Sequence, residues 1–237
     1  MTEMLYHIDS YQKEFEAVVT DTDAESGAVT LDRTVFFPGG GGQPYDTGKL
    51  DFGEKSVTVV KTSRDGDRIL HYIEGELPEV GSRVVGYIDW EHRYQLMRTH
   101  SAMHVLCGVV WRDYSAQVTG GNMDPLKARM DFEFNNFSAD LVHDIEEKVN
   151  IEIQNGRDIR AKVLPREEAE QIPDLIRTKI NLLPDSLREI RVVEIDGLDL
   201  QADGGTHVAN TREIGIFKIV GHKSKGKINK RLKVEIE

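Results

Sequence analysis

The sequence lacks any apolar run close to the roughly 20 residues that a membrane-spanning helix needs. Residues 1–10 also lack the basic region and the apolar core of a secretory signal. Cysteine is almost absent, and the single Cys107 excludes a disulfide within the chain and agrees with a reducing compartment. We therefore expect a cytoplasmic protein that does not bind membranes.

Net positive charge is also missing, since the formal net charge is -11 at pH 7. Unselective binding to nucleic acid needs a surplus of lysine and arginine, because contacts with phosphate groups supply it. We therefore expect no DNA partner. The balance of acidic and basic residues is reversed in residues 214–234, which contain no acidic residue. This segment is interpreted either as a solvated strand pair or as an RNA contact. Their basic residues are Lys218, Lys223, Lys225, Lys227, Lys230, Arg231 and Lys233.

Short strands are indicated over residues 1–90, where apolar and polar positions alternate between turn signals. Many short strands at regular spacing predict a small β-barrel as the N-terminal domain. The predicted strands are 15–19, 28–31, 57–61, 68–73 and 83–89. Near Trp90 the pattern changes, because residues 92–112 place apolar side chains at helical intervals and contain few breakers.

Residues 91–237 are predicted to form a second domain, so the fold class is α+β. After the first helix, a second one is expected between the N-cap Ser138 and the C-terminal signal Asn155-Gly156. The other predicted elements are strands 128–134, 159–164, 188–195, 214–220 and 228–236 and a short helix over 166–172.

The sharpest chemical signal is the pair His100 and His104, because residues four apart on a helix project from one face and can share a cation. His207 is the candidate third ligand, and the paired glycines before it allow a turn that points Asp203 to the same spot. Three imidazoles and a carboxylate suit Zn²⁺. The alternative is two histidines on a helix surface. Cys107 is interpreted as a small buried residue.

Four motifs resemble one family. Arg98-Thr-His100-Ser-Ala-Met-His104, Gly204-Gly-Thr-His207-Val and the octapeptide 211–218 resemble the editing domain of alanyl-tRNA synthetases. Residues 31–48, with four glycines before Gln43, are similar to the glycine-rich segment of those synthetases and of the medium and long AlaX editing proteins. The motifs follow the family's order and cover nearly the whole chain.

The resemblance implies an N-terminal barrel and a two-layer α/β editing domain of the threonyl- and alanyl-tRNA synthetase type. It also implies a zinc-dependent esterase that removes serine from mischarged tRNA(Ala) and so protects translation fidelity. The chain is too short for an aminoacylation core as well, so we expect it to act on charged tRNA that a synthetase has released. Whether it is a monomer or a dimer stays open.

The departure from the family is Asp203, where the synthetases usually carry cysteine. Either Asp203 binds the zinc through oxygen, or it orients a water as a general base beside three histidine ligands. Zinc itself either activates a water or binds the amino group of the substrate and positions it.

Further residues are expected to contact the substrate. The resemblance assigns Thr119 and Gln117 to the serine pocket, although their segment is also interpretable as a polar turn. Gly40, Gly41 and Gly42 offer backbone N–H groups to the terminal adenosine or the ester carbonyl, and Gln43 is a donor to that carbonyl. The alternative for this loop is a tight barrel turn.

Two other functions are compatible with the sequence. One is a non-catalytic tRNA-binding module with a structural zinc and a basic C-terminal hairpin, although closed structural sites more often use cysteines. The other is an editor for another small amino acid, glycine or threonine.

Overall fold

The computed structural model describes residues 1–134, 137–176 and 188–237. The chain divides into two compact units, Met1–Gln95 and Leu96–Glu237. Within the described residues, none of the helices combines the length and the hydropathy that crossing a bilayer requires.

The first unit is a β-barrel, as predicted. Its strands are β1 (Glu3–Met4), β2 (Glu14–Asp23), β3 (Ala28–Leu31), β4 (Arg33–Thr34), β5 (Gly48–Phe52), β6 (Lys55–Asp65), β7 (Arg68–Glu74) and β8 (Arg83–Ile88). Six of them close in the order β2-β3-β7-β6-β5-β8. In β2 the side chains of Phe15, Ala17 and Val19 are buried while their neighbours in sequence are exposed, so the alternation in the sequence fills the barrel interior.

Strand β5 was not expected. It contains glycine, lysine and aspartate, which have low strand propensity, and Leu50 is its one buried side chain. Its pairing with β6 and β8 closes the barrel. Pairing with neighbouring strands, rather than local composition, therefore sets this element.

A buried ion pair joins the glycine-rich segment of the barrel unit to the first residues of α1 (Trp90–Tyr114). Arg93 and Asp46 are both fully buried, and Arg93 Nε donates to both carboxylate oxygens at 3.0 Å. Asp46 Oδ2 also accepts from the backbone N–H of Phe37 at 2.6 Å. Both ends of residues 37–46 are thereby fixed within this unit.

The second unit contains most of α1, two further helices and two antiparallel sheets, so the predicted α+β class is confirmed. After α1 follow β9 (Val118–Asp124), β10 (Lys127–Glu133), α2 (Ala139–Asn155), β11 (Ile159–Pro165), α3 (Arg166–Ala169), β12 (Glu189–Ile195), β13 (Asp199–Ala202), β14 (Phe217–Ser224) and β15 (Asn229–Ile236). The sheets have the orders β14-β15-β10-β9 and β11-β12-β13.

Helix α2 begins and ends where its capping signals predict. Ser138 Oγ accepts from the backbone N–H of Leu141 at 3.2 Å. Gly156 ends the helix in the left-handed conformation, and its N–H donates to the carbonyl of Ile153. Local capping chemistry therefore fixes this element.

Two predicted elements have other bounds. Helix α3 ends at Ala169 rather than at residue 172, and the chain continues in turns whose hydrogen bonds span three residues, from Gln171 N–H to Glu168 and from Ile172 N–H to Ala169. The strand expected over 214–220 is β14, which begins at Phe217. A 3-10 helix precedes it over Thr211–Ile214, because Asn210 and Glu213 form a capping box.

Candidate metal centre

Two histidines of α1 form the first half of a compact polar cluster. His100 and His104 are one helical turn apart, and their ring centroids lie 5.1 Å from each other. Both are almost fully buried, at 5% and 7% exposure. Since the i, i+4 spacing points both rings from one helix face, the sequence pattern alone accounts for this pair.

The loop after β13 supplies the other half. The ring of His207 lies 4.3 Å from that of His100 and 4.7 Å from that of His104. Asp203 Oδ2 lies 3.0 Å from His207 Nε2 and accepts the backbone N–H of Gly205 at 2.7 Å. One ligand atom from each of the four residues lies within 4.8 Å of all the others. The structure thus brings together the four residues that the sequence predicted as metal ligands.

The outward-facing nitrogens of two rings have partners outside the cluster. His104 Nδ1 lies 3.2 Å from Asp199 Oδ2, and the Asp199 side chain is fully buried. His207 Nδ1 lies 3.2 Å from Ser101 Oγ, which also accepts the N–H of Val208. Because Nδ1 of each ring is engaged in a hydrogen bond, Nε2 is the nitrogen whose lone pair can bind a shared cation.

Sequence reasoning missed Asp199 and Ser101. Asp199 reaches His104 because α1 carries Gly108 one turn further along. A Cβ at Gly108 would lie 2.9 Å from Leu198 Cγ and 3.1 Å from Asp199 Cβ, so a larger residue would push β13 away. A glycine inside a long helix, one turn beyond a candidate ligand, is the signal in the sequence that could have indicated a close approach here, although it does not name Asp199.

The electrostatics of the cluster suit a cation. Burial, reinforced by the neighbouring histidines, lowers the pKa of His100 well below its ordinary value. Burial also lowers the pKa of His207 to about 4. Burial alone would raise the pKa of Asp203, but His100 and His207 hold it well below its usual range. With these shifts His100 and His207 are neutral and Asp203 is ionised at neutral pH, and these are the forms that bind metals.

His104 differs from the other two rings. Burial opposes its charged form, but the hydrogen bond to Asp199 and the charge of Asp203 outweigh burial and raise its pKa. A carboxylate behind the ring makes Nε2 a more basic ligand. The donor set of three imidazoles and one carboxylate, with partners behind two rings, fits a divalent ion such as Zn²⁺.

The other predicted site residues lie elsewhere on the chain. Thr119 lies in strand β9, not in a turn, and its Oγ1 donates to Asn229 Oδ1 at 3.1 Å. Gln117 precedes β9, and its carbonyl accepts the N–H of Glu133. Cys107 is buried, at 3% exposure, and is not one of the four clustered residues.

The glycine-rich loop belongs to the barrel unit. Gly40 and Gln43 exchange two backbone hydrogen bonds, of 3.0 and 2.9 Å, so the loop is a tight turn. Gly40, Gly41 and Gly42 all have positive φ, with values of 143°, 59° and 93°. Gln43 is buried, at 3% exposure. These glycines are needed for the turn itself, whatever else the loop binds.

Two families match parts of the chain. Residues 190–233 match the family described as "Threonyl and Alanyl tRNA synthetase second additional domain", and this range contains Asp203 and His207. Residues 2–92 match "tRNA synthetases class II (A)".

Similar proteins cover nearly the whole chain. The alanyl-tRNA editing protein AlaX-M of Methanosarcina barkeri is 40% identical, and the alignment covers 98% of each chain. The AlaX-M protein of Saccharolobus solfataricus is 42% identical, with the same coverage. The alanine-tRNA ligase of Ignicoccus hospitalis is 40% identical over 92% of this chain and 24% of the ligase. With this identity over almost its full length, the chain belongs to the AlaX-M family of alanyl-tRNA editing proteins.

Proposed function

We propose that the protein is a zinc-dependent aminoacyl-tRNA deacylase that removes serine from mischarged tRNA(Ala) in the cytoplasm. The observation that carries the proposal is the buried cluster of His100, His104, Asp203 and His207 in a chain of the alanyl-tRNA editing family. In this proposal residues 91–237 form the deacylase domain and residues 1–90 the barrel domain with the glycine-rich loop.

The residues that would hold Zn²⁺ are the three histidines, through Nε2, and Asp203. The bound ion would supply either an activated water or an anchor for the substrate amino group. Asp199 and Ser101 keep two of the rings oriented. The position of Asp203 favours a ligand role, because its carboxylate and the three imidazoles form a group whose ligand atoms all lie within 4.8 Å of one another.

Selection of serine is the second part of the proposal. A small pocket for alanine cannot strongly reject serine, so a second site must recognise the serine hydroxyl. Thr119 donates its proton to Asn229, which leaves the lone pairs of Oγ1 to accept a hydrogen bond from that hydroxyl. Gln117 is assigned to the same pocket. Alanine would leave these polar groups unpaired and be rejected by as much as roughly 10⁴-fold.

The glycine-rich loop is proposed to contact the end of the tRNA. Backbone N–H groups of Gly41 and Gly42 would approach the terminal adenosine, since no side chain shields them. The N–H of Gly40 donates to the carbonyl of Gln43, so Gly40 would contribute by leaving space for the adenosine. Gln43 is proposed as a donor to the ester carbonyl.

The test is a panel of charged tRNAs incubated with the purified protein. Seryl-, glycyl- and alanyl-tRNA(Ala) and threonyl-tRNA are compared by release of amino acid. We expect rapid release of serine and none of alanine. Preferred release of glycine or threonine would assign the protein to another editing reaction. Retention of charged tRNA on a filter without release of amino acid would instead show a binding module.

A further inference from the structure

One face of the sheet β14-β15-β10-β9 carries basic side chains in rows. Residues directly opposite each other in an antiparallel sheet point to the same face. The strand register therefore sets side chains of β14, β15 and β10 side by side. The rows are Lys223, Arg231 and Asp131; Gly221, Lys233 and Arg129; and Lys218, Glu235 and Lys127.

The opposite face of the same strands belongs to the core. Leu232, Val234 and Ile236 alternate with the basic residues of β15 and are 0%, 1% and 4% exposed. The basic rows are therefore the solvent side of this sheet. In the middle row Gly221 has no side chain, and the aliphatic part of Lys233 lies beside it. Lys233 Cδ is 3.8 Å from the position that a Cβ on residue 221 would take.

The acidic residues of this face neutralise its third row, where Lys127 pairs with Glu235 at 3.4 Å and Lys218 pairs with Glu237. They do not neutralise the other two rows. Asp131 is shared among three cations, with Arg231 at 2.7 Å, Lys225 at 3.7 Å and Arg129 at 3.8 Å. Its pKa is lowered by the hydrogen bonds from Arg231, so it stays ionised and offsets one of the three charges.

Two lysines of these rows and one lysine of the turn between β14 and β15 face the solvent. Lys223, Lys227 and Lys233 are exposed, and none forms an ion pair with an acidic residue in the described parts of the chain. Such lysines are available to neutralise phosphate groups and release their counterions. The rest of an acidic protein repels a polyanion, so a local reversal of charge determines where one docks.

The same face includes the hydrogen-bond partner of Thr119, which is proposed to select serine. Asn229 lies two residues before Arg231 on β15, so its side chain points to the basic face. It accepts the hydrogen bond from Thr119 Oγ1. A ligand held near Thr119 would therefore lie beside the basic rows.

We propose that this basic face binds the sugar-phosphate backbone of the charged tRNA. The inference rests on the proposed deacylase function and adds to it the surface that holds the RNA. RNA is the partner because the substrate is a polyanion that must extend beyond the aminoacyl end. The contact gives affinity without reading sequence, since phosphate contacts position a nucleic acid and base contacts specify it.

The test compares two variants with matched changes of charge. The first is Lys223→Gln/Lys227→Gln/Lys233→Gln, and the control is Lys55→Gln/Arg160→Gln/Lys162→Gln, whose three cations are exposed and lie outside this sheet. Seryl-tRNA(Ala) hydrolysis is measured over a series of salt concentrations. Binding of the uncharged tRNA is measured in parallel by filter retention.

The face variant is expected to lose about ten- to hundredfold in kcat/KM and in tRNA affinity at moderate salt, with kcat at saturation unchanged. Its slope of log(kcat/KM) against log salt becomes shallower by about 2 to 3, because about 0.7 to 0.9 ions are released per phosphate contact. The control variant keeps the wild-type values.

Equal behaviour of the two variants would overturn the inference. The inference would also be overturned if the face variant kept wild-type affinity for tRNA but lost binding to phosphatidylserine vesicles. That pair of results would assign the face to a lipid surface. Failure of the proposed deacylase function would give a different result from failure of this inference. In that case wild-type protein releases no amino acid, while filter retention of tRNA still tests the face.

Discussion

Asp199→Asn is predicted to weaken zinc binding without unfolding the protein. The Asp199 carboxylate is fully buried, and its Oδ2 lies 3.2 Å from His104 Nδ1. It raises the pKa of His104 against the effect of burial, so it makes Nε2 more basic. The amide is nearly isosteric and still offers an oxygen to Nδ1, but it lacks the negative charge.

The expected magnitude follows from the position of Asp199 behind one ligand. Loss of such a partner costs about 10- to 100-fold in metal affinity, which is about 1.4 to 2.7 kcal/mol. Gln201→Leu is the matched control, since Gln201 Nε2 donates to the same Asp199 oxygen at 2.7 Å but is one step further from the ring. It should change zinc affinity less than Asp199→Asn does.

The assay is competition for Zn²⁺ with a chromophoric chelator, and urea unfolding of the metal-free proteins serves as the folding control. Asp199→Asn should show the higher zinc dissociation constant, with an unfolding transition that stays cooperative. An unchanged dissociation constant would refute the argument that Asp199 tunes His104.

Three other predictions concern the barrel and the serine pocket. Burial lowers the pKa of His71 to about 4, so the unfolded chain binds its proton first and the stability that His71 contributes falls as pH drops from about 6.5 to about 4. In urea unfolding the wild type should lose about 2 kcal/mol more than His71→Gln between about pH 7 and about pH 5, and equal losses would contradict the buried neutral ring. Asp46→Asn leaves Arg93 buried without its counter-charge and should lower the free energy of unfolding by about 3 to 5 kcal/mol in urea titrations, whereas an unchanged value would contradict the buried pair. Thr119→Val removes the acceptor for the serine hydroxyl, and kcat/KM for seryl-tRNA(Ala) should fall roughly ten- to hundredfold; wild-type kinetics would remove Thr119 from the pocket.

Local signals in the sequence predicted much of the second unit. Ser138 and Gly156 mark the ends of α2 because capping depends on neighbouring residues. The His100 and His104 pair follows from helical periodicity alone. The close approach of His207 was predicted from the glycine turn before it and from the resemblance to the editing domain of alanyl-tRNA synthetases. In the structure His207 and Asp203 lie in one cluster with His100 and His104.

Features that depend on distant pairing were harder to predict. Strands β9 and β13 were missed, since β9 contains two glycines and β13 is only four residues long. With β13 unknown, the contact between Asp199 and His104 could not be derived. Arg93 was missed for the same reason, because its counter-charge Asp46 lies far away in sequence. Tertiary contacts, which leave little local trace, determine these residues.

The decisive measurement is the dependence of seryl-tRNA(Ala) hydrolysis on zinc held by the cluster of His100, His104, Asp203 and His207. Protein stripped with a chelator is titrated with Zn²⁺, and release of serine is followed alongside the zinc content of each sample. We expect no release from metal-free protein, full activity at about one zinc per chain, and no recovery in His104→Ala. Wild-type release of serine by metal-free protein would contradict this expectation.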